Sequence, residues 1–129
     1  TWVASTTTMP SSNVVWDFDG SVGTLTLARP HARNALTWDM YDAIVEACDL
    51  VDASSARVLI VRGSGGAFSS GTDIAQFADL TTGAAGLAYE RRIGAVIDRL
   101  ERVRVPTVAA IEGVAVGGGC ALAVACDLR

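Results

Sequence analysis

Two short glycine-bearing segments are the parts of this sequence best suited to chemistry. They are Ser70-Gly71-Thr72-Asp73 and Gly117-Gly118-Gly119-Cys120, each following an apolar strand-like run. Glycine lets a backbone approach a ligand closely and exposes its N–H groups. Two such turns, converging, could cradle a developing oxyanion with backbone donors alone. On the residues alone, the plainer reading is that both are merely tight turns. Other chemistries fall away. The run Gly63-Ser64-Gly65-Gly66-Ala67-Phe68 places Phe68 where a dinucleotide fingerprint needs its third glycine. No Gly-x-Ser-x-Gly elbow occurs. All 10 basic residues other than histidine are arginine, so neither a P-loop lysine nor a Schiff-base lysine exists. His31 is the only histidine; alone it forms no histidine-based metal site and leaves most nucleophile–base pairs without a base. No metal site is expected.

The three cysteines, Cys48, Cys120 and Cys126, lie in apolar surroundings without metal-ligand spacing. They are expected to be buried, reduced thiols of a cytoplasmic protein. The 129 residues fit one domain, and 50% hydrophobic against 19% charged positions exclude disorder for most of the chain. A net charge of −4 speaks against nucleic acid as a partner, because phosphate neutralisation requires a basic excess. The start of the chain lacks the features of a secretory signal, and the uncharged stretch Val114 to Cys126 is too short and glycine-rich to span a bilayer. No membrane association is expected.

The elements that would position the two turns can be read from periodicity. Residues 1–12 are Ser/Thr-rich and expected to form a flexible leader, with the folded part covering 13–129. Val14 to Asp19 and Val22 to Leu27 read as a hairpin across a Gly20-containing turn. Thr37 to Asp52 reads as a helix with Thr37 as N-cap, Asp39 in the first turn and two apolar stripes, Met40/Ile44/Ala47/Val51 and Trp38/Tyr41/Val45/Cys48. Val58 to Val61 is a continuous apolar strand, as expected where both sheet faces are covered. A second helix is expected from Gly86 to Arg102, with its arginines on a solvated face. Thr107 to Ile111 and Val114 to Val116 read as strands, and Cys120 to Asp127 as a short buried helix. Strands alternating with helices give an α/β fold with largely parallel strands.

Three motifs in order then carry a resemblance. They are Ala28-Arg29-Pro30 with Arg33-Asn34-Ala35-Leu36, Ala67-Phe68-Ser69-Ser70-Gly71-Thr72-Asp73-Ile74, and Ile111-Glu112-Gly113 through Gly117-Gly118-Gly119-Cys120-Ala121-Leu122, closing on Ala125-Cys126-Asp127. From Val14 onward the chain resembles the crotonase superfamily, the enoyl-CoA hydratase/isomerase family. The resemblance implies a crotonase-like spiral of repeated strand-strand-helix units, of which this chain is the N-terminal part. It implies an acyl-CoA thioester as substrate, no bound cofactor and a place in fatty acid metabolism. Carried over by position, Thr72 and Gly118 supply the two oxyanion N–H donors, and Gly118 does so at a helix N-terminus. Ser70 and Gly71 line the CoA site, Arg33 and Ala35 lie along its other edge, and Ile74 packs beside the acyl chain or pantetheine. Asp73 matches the family's aspartate and is read as holding the turn.

Two departures narrow this expectation. Ala121 stands where the family's hydratases carry their first glutamate, and a methyl group neither delivers nor activates water. Isomerisation, decarboxylation or thioester hydrolysis are therefore as much in view as hydration. His31 stands where many members carry a lysine near the CoA phosphates, which leaves more of that task to Arg33. The family's second acid lies beyond Arg129. The resemblance further implies a homotrimer or hexamer and a complementary C-terminal half, as continuation or second chain. The alternative reading is a catalytically silent binding or assembly subunit.

Overall fold

A computed structural model describes residues 9–73, 75 and 82–129. Its centre is a four-stranded sheet in the order β1 (Val14–Phe18), β2 (Val22–Leu27), β3 (Val58–Gly63), β4 (Thr107–Ala110). β1 and β2 are antiparallel, and β2–β3 and β3–β4 are parallel. The hairpin turn is set locally. Asp19 Oδ1 accepts the N–H groups of Ser21 and Val22 at 2.9 and 2.7 Å, and Gly20 takes a φ of +96°. Of the expected leader, residues 1–8 lie outside the described residues; Met9 packs against the core and Ser11 is buried.

Register explains which side chains form the core. Leu25 pairs with Val61 and Val61 with Ala109, so these three point to one face, and all are buried. On the opposite face Thr24, Ile60 and Val108 are only half-buried, and Arg62 and Ala110 are exposed. The apolar run of β3 was expected to be covered on both faces; within this chain one face is covered. The run reads as continuous because Val58 and Ile60 are apolar as well.

Helix α1 (Trp38–Asp52) begins where its cap dictates: Thr37 Oγ1 accepts the Met40 N–H at 3.3 Å. Both apolar stripes contribute, with Met40, Tyr41, Ala43, Ile44, Ala47, Cys48 and Val51 buried. Helix α2 (Gly83–Glu101) starts three residues earlier than Gly86, because Thr82 caps it through the Ala85 N–H at 3.0 Å. Arg91 and Arg92 are exposed, as expected of a solvated face, but Arg92 and Arg99 also pair with α1. Arg92 lies over the Trp38 ring at 4.3 Å and bonds Asp42 at 3.1 and 3.2 Å. Arg99 bonds Asp49 at 3.0 Å and Asp52 at 2.7 Å. The paired acids and arginines advance together, so α1 and α2 run side by side in the same direction. Burial alone would raise the Asp52 pKa. The Arg104 N–H and the Arg99 guanidinium overcome that and hold it below the usual carboxylate value.

The end of the chain also differs from the expectation. Helix α3 spans Gly118–Ala125, not Cys120 to Asp127. Asp127 leaves the helix because Thr107 takes it: the Thr107 N–H donates to Asp127 Oδ2, and the Asp127 N–H donates to Thr107 Oγ1, both at 2.9 Å. The segment Val114 to Val116 makes only an isolated bridge, Ser69 with Ala115, and is not a strand. Cys48 and Cys126 are buried, and burial pushes their thiols up to about 12 and about 11. Cys120 is exposed in this chain, contrary to the expected burial. Among the described residues, no helix is long and apolar enough to cross a membrane.

Candidate functional site

The site is built on a loop whose backbone ordinary residues avoid. Arg33 and Asn34 are successive left-handed residues, with φ of +52° and +56°. That conformation costs roughly 1–2 kcal/mol for each non-glycine residue. Asn34 offsets it with hydrogen bonds from every polar group it has. Its Oδ1 accepts the Arg29 N–H at 2.8 Å, and its Nδ2 donates to the carbonyls of Ser64 and Ala67 at 2.9 and 2.8 Å. Its own N–H donates to Arg29 O, and its carbonyl accepts the Ser69 hydroxyl at 2.8 Å. One amide therefore ties the Arg29–Leu36 loop to the loop after β3.

Ser69 passes that order on. Its buried hydroxyl also accepts the Gly71 N–H at 3.2 Å, and its carbonyl accepts the Val116 N–H at 3.2 Å. Beyond it, the Leu36 N–H donates to Gly71 O and the Asp73 N–H donates to Leu36 O. Leu36 and Thr72 thus form a parallel bridge. In such a ladder the intervening N–H, that of Thr72, points away from Leu36.

The second turn meets the first. Gly117 has a φ of +54° and caps α3, so Gly118 is the first helical residue and its N–H lacks an intrahelical acceptor. A Cβ at Gly71 would lie 3.2 Å from Val116 O and 3.7 Å from Gly118 N. A Cβ at Gly118 would lie 2.5 Å from the Tyr41 hydroxyl oxygen, and one at Gly119 2.5 Å from Ser69 O. Side chains at these two positions would push the turns apart. Among the described residues, neither the Thr72 N–H nor the Gly118 N–H has a hydrogen-bond acceptor, and both residues are half-buried. The geometry places Thr72 and Gly118 on different turns that meet beside the N-terminus of a helix. It suits an oxygen that gains negative charge.

The remaining candidates fall around this pair. Ser70 and Gly71 lie in the first turn, and the Ser70 N–H donates to Arg33 O at 2.9 Å. Arg33 is exposed, and Ala35 O accepts Arg29 Nη1 at 3.2 Å. Asp73 caps the turn with Oδ1 through the Ala75 N–H at 2.9 Å and pairs its Oδ2 with Arg29 Nη1 at 2.7 Å. The Ala75 N–H first and the Arg29 guanidinium second hold its carboxyl below the usual value. Ile74 lies outside the described residues. Ala121 sits on α3 with its methyl half-buried, and Glu112 is exposed. No group of three metal-ligating side chains comes together among the described residues.

Three contributors escaped the sequence reading. Asn34 and Ser69 were quoted only as parts of motifs, and Tyr41 was placed in an apolar stripe. The Tyr41 hydroxyl is 2.8 Å from Thr72 Oγ1. A hydroxyl on an otherwise apolar stripe was the signal that could have singled it out.

The family model for enoyl-CoA hydratase/isomerase matches residues 17–129. A protein of Mycobacterium tuberculosis named "probable enoyl-CoA hydratase" is 38% identical over 121 residues, which is 93% of this chain and 46% of the relative. A crotonyl-CoA hydratase of Syntrophomonas wolfei is 36% identical over 128 residues, 94% of this chain and 47% of the relative. The crystal structure of an enoyl-CoA hydratase/carnithine racemase from Magnetospirillum magneticum superposes with a TM-score of 0.87 at 35% identity, covering 92% of this chain and 46% of that one. The chain spans about half the length of the relatives it matches. With the crotonase fold, the motifs in order and the family model over most of its length, the chain belongs to the enoyl-CoA hydratase/isomerase family.

Proposed function

We propose that this chain is the thioester-binding, enolate-stabilising part of an acyl-CoA enzyme. The observation that carries the reading is the pair of backbone donors, the Thr72 and Gly118 N–H groups, that have no acceptor among the described residues and sit on turns that touch at Gly71. A thioester carbonyl oxygen placed between them accepts both. When the proton on the α-carbon leaves, the oxygen becomes an oxyanion and both hydrogen bonds strengthen, so the transition state gains more than the substrate does. The α3 dipole adds to that preference. Ser70 and Gly71, with Arg33 and Ala35 along the other edge, form the CoA side of the site. Asp73, engaged by Arg29 and the Ala75 N–H, holds the turn and does not move protons.

The proton-moving groups come from elsewhere, because Ala121 has none to offer. The exposed apolar side chains Ile111, Val114, Val116, Val124 and Leu128 support a complementary half of the fold packing over this end. That half would supply the second acid and contacts of a trimer or hexamer, in a cytoplasmic enzyme. Ala121 also favours a second reading, a silent crotonase-fold binding subunit that keeps the fold without turnover.

Gly118→Pro decides between them. Loss of this donor in the full chain should lower turnover of an acyl-CoA substrate roughly 10²–10³-fold. Gly118→Ala, which adds the same Cβ but keeps the N–H, controls for displacement of the turns, and CoA binding and circular dichroism control for folding. A folded variant with native turnover removes Gly118 from the mechanism; a native protein with no turnover of any acyl-CoA favours the silent subunit.

A further inference from the structure

The Tyr41 hydroxyl touches both turns at once. Its side chain is fully buried and reaches from the first turn of α1, directly after the Leu36–Thr72 bridge. Its oxygen lies 2.8 Å from Thr72 Oγ1. On its other side is the Cα of Gly118, where an added Cβ would lie 2.5 Å from the phenol oxygen and 3.1 Å from Thr72 Oγ1. The ring is held in turn by Trp38, at 5.9 Å between centroids, and Trp38 by Tyr89 and Arg92. Burial raises the phenol pKa, so the group keeps its proton. A buried O–H requires an acceptor, and among the described residues Thr72 Oγ1 is the one within reach. The Tyr41 and Thr72 hydroxyls therefore share one hydrogen bond, in which either oxygen can donate.

We propose that Tyr41 is a positioning residue for the oxyanion site, fixing through its hydroxyl the placement of Thr72 relative to Gly118. This rests on the reading of Thr72 and Gly118 as the oxyanion donors. The two N–H groups sit on separate turns, so their separation depends on what is packed between those turns. Tyr41 sets it from behind, filling the space that the missing Gly118 side chain leaves. Preorganised donors need no rearrangement when charge develops, and a small drift between them weakens both hydrogen bonds together.

The test uses acetoacetyl-CoA, whose bound enolate is followed by its near-ultraviolet absorbance. The probe loses its α-proton to buffer, so the pH midpoint of the signal reads enolate stabilisation directly. In the full chain the midpoint should lie below its value in free solution. Tyr41→Phe should raise it by about 0.5–1 pH unit, a three- to tenfold loss that matches one hydrogen bond, while affinity for CoA itself stays unchanged. Thr72→Val should do the same, the double variant should add nothing further, and Thr72→Ser should retain the native midpoint. A folded Tyr41→Phe with the native midpoint overturns the proposal, even if its stability is reduced. If Tyr41→Phe does not fold, an unchanged midpoint in Thr72→Val overturns it equally. Failure of the underlying oxyanion reading is seen separately, as a native protein that leaves the midpoint at its solution value.

Discussion

Arg29 Nη1 stands 2.7 Å from Asp73 Oδ2, and the same nitrogen donates to the Ala35 carbonyl. One guanidinium thus fastens the strand-ending Arg29-Pro30 segment to the turn that carries Thr72. Both side chains retain 19% exposure, enough shielding from water for the pair to matter.

Asp73→Asn should cost about 1 kcal/mol of stability at neutral pH, in line with a partly shielded ion pair. The folded-state pKa of Asp73 is lowered, so the pair's contribution is complete above the unfolded carboxyl value of about 3.9 and is lost as the pH falls through the lower folded value. Denaturation of both proteins across this range should show the difference shrinking on acidification. A difference that grows towards acid would contradict the assignment.

Asn34→Ala should destabilise by about 2–3 kcal/mol, because it strands the buried Ala67 carbonyl and the partly buried Arg29 N–H and Ser64 carbonyl and leaves alanine in a left-handed conformation. Asn34→Gly should recover only the backbone part. Urea unfolding separates the two contributions, and equal losses in both variants would assign the whole effect to the side-chain hydrogen bonds. A loss below about 0.5 kcal/mol in Asn34→Ala would show that the hub is dispensable.

Native protein treated with iodoacetamide at pH 8 should leave Cys48 and Cys126 unmodified, since burial holds both thiols protonated and covered. Cys120 should be the labelled position. Peptide mapping after quenching checks it, and early labelling of Cys48 would show that α1 opens readily.

Crotonyl-CoA hydration should be slow in the full protein, and Ala121→Glu should raise it where a second acid and a water are in place. Coupled absorbance assays on both forms test this. Fast hydration by the unaltered protein would mean that another group, Asp73 or Glu112, handles the water.

Local signals were legible and non-local ones were not. Thr37 announced α1 because its cap needs only the next three residues. The glycines of both turns could be picked out by type, but their meeting depends on β3 and β4 lying parallel, which no short window contains. Arg92 and Arg99 share a helix face in any reading. That this face meets Asp42, Asp49 and Asp52 depends on where α1 lies. The start of α3 was missed because the positive φ of Gly117 is invisible in a run of three glycines. Val114 to Val116 has strand composition, yet its hydrogen bonds to Phe68 and Ser69 close only one isolated bridge, at Ala115.

The parallel order of β2, β3 and β4 also sets a sequence of events in time. The β1–β2 hairpin closes locally, whereas each parallel pairing must wait for the chain to return from a long crossover, and such closures are slow. Thr72 follows the first return and Gly118 follows the second. Refolding should therefore recover far-ultraviolet signal before it recovers enolate binding, and stopped-flow traces that rise together would contradict this order. Competence is the last property the chain acquires on refolding.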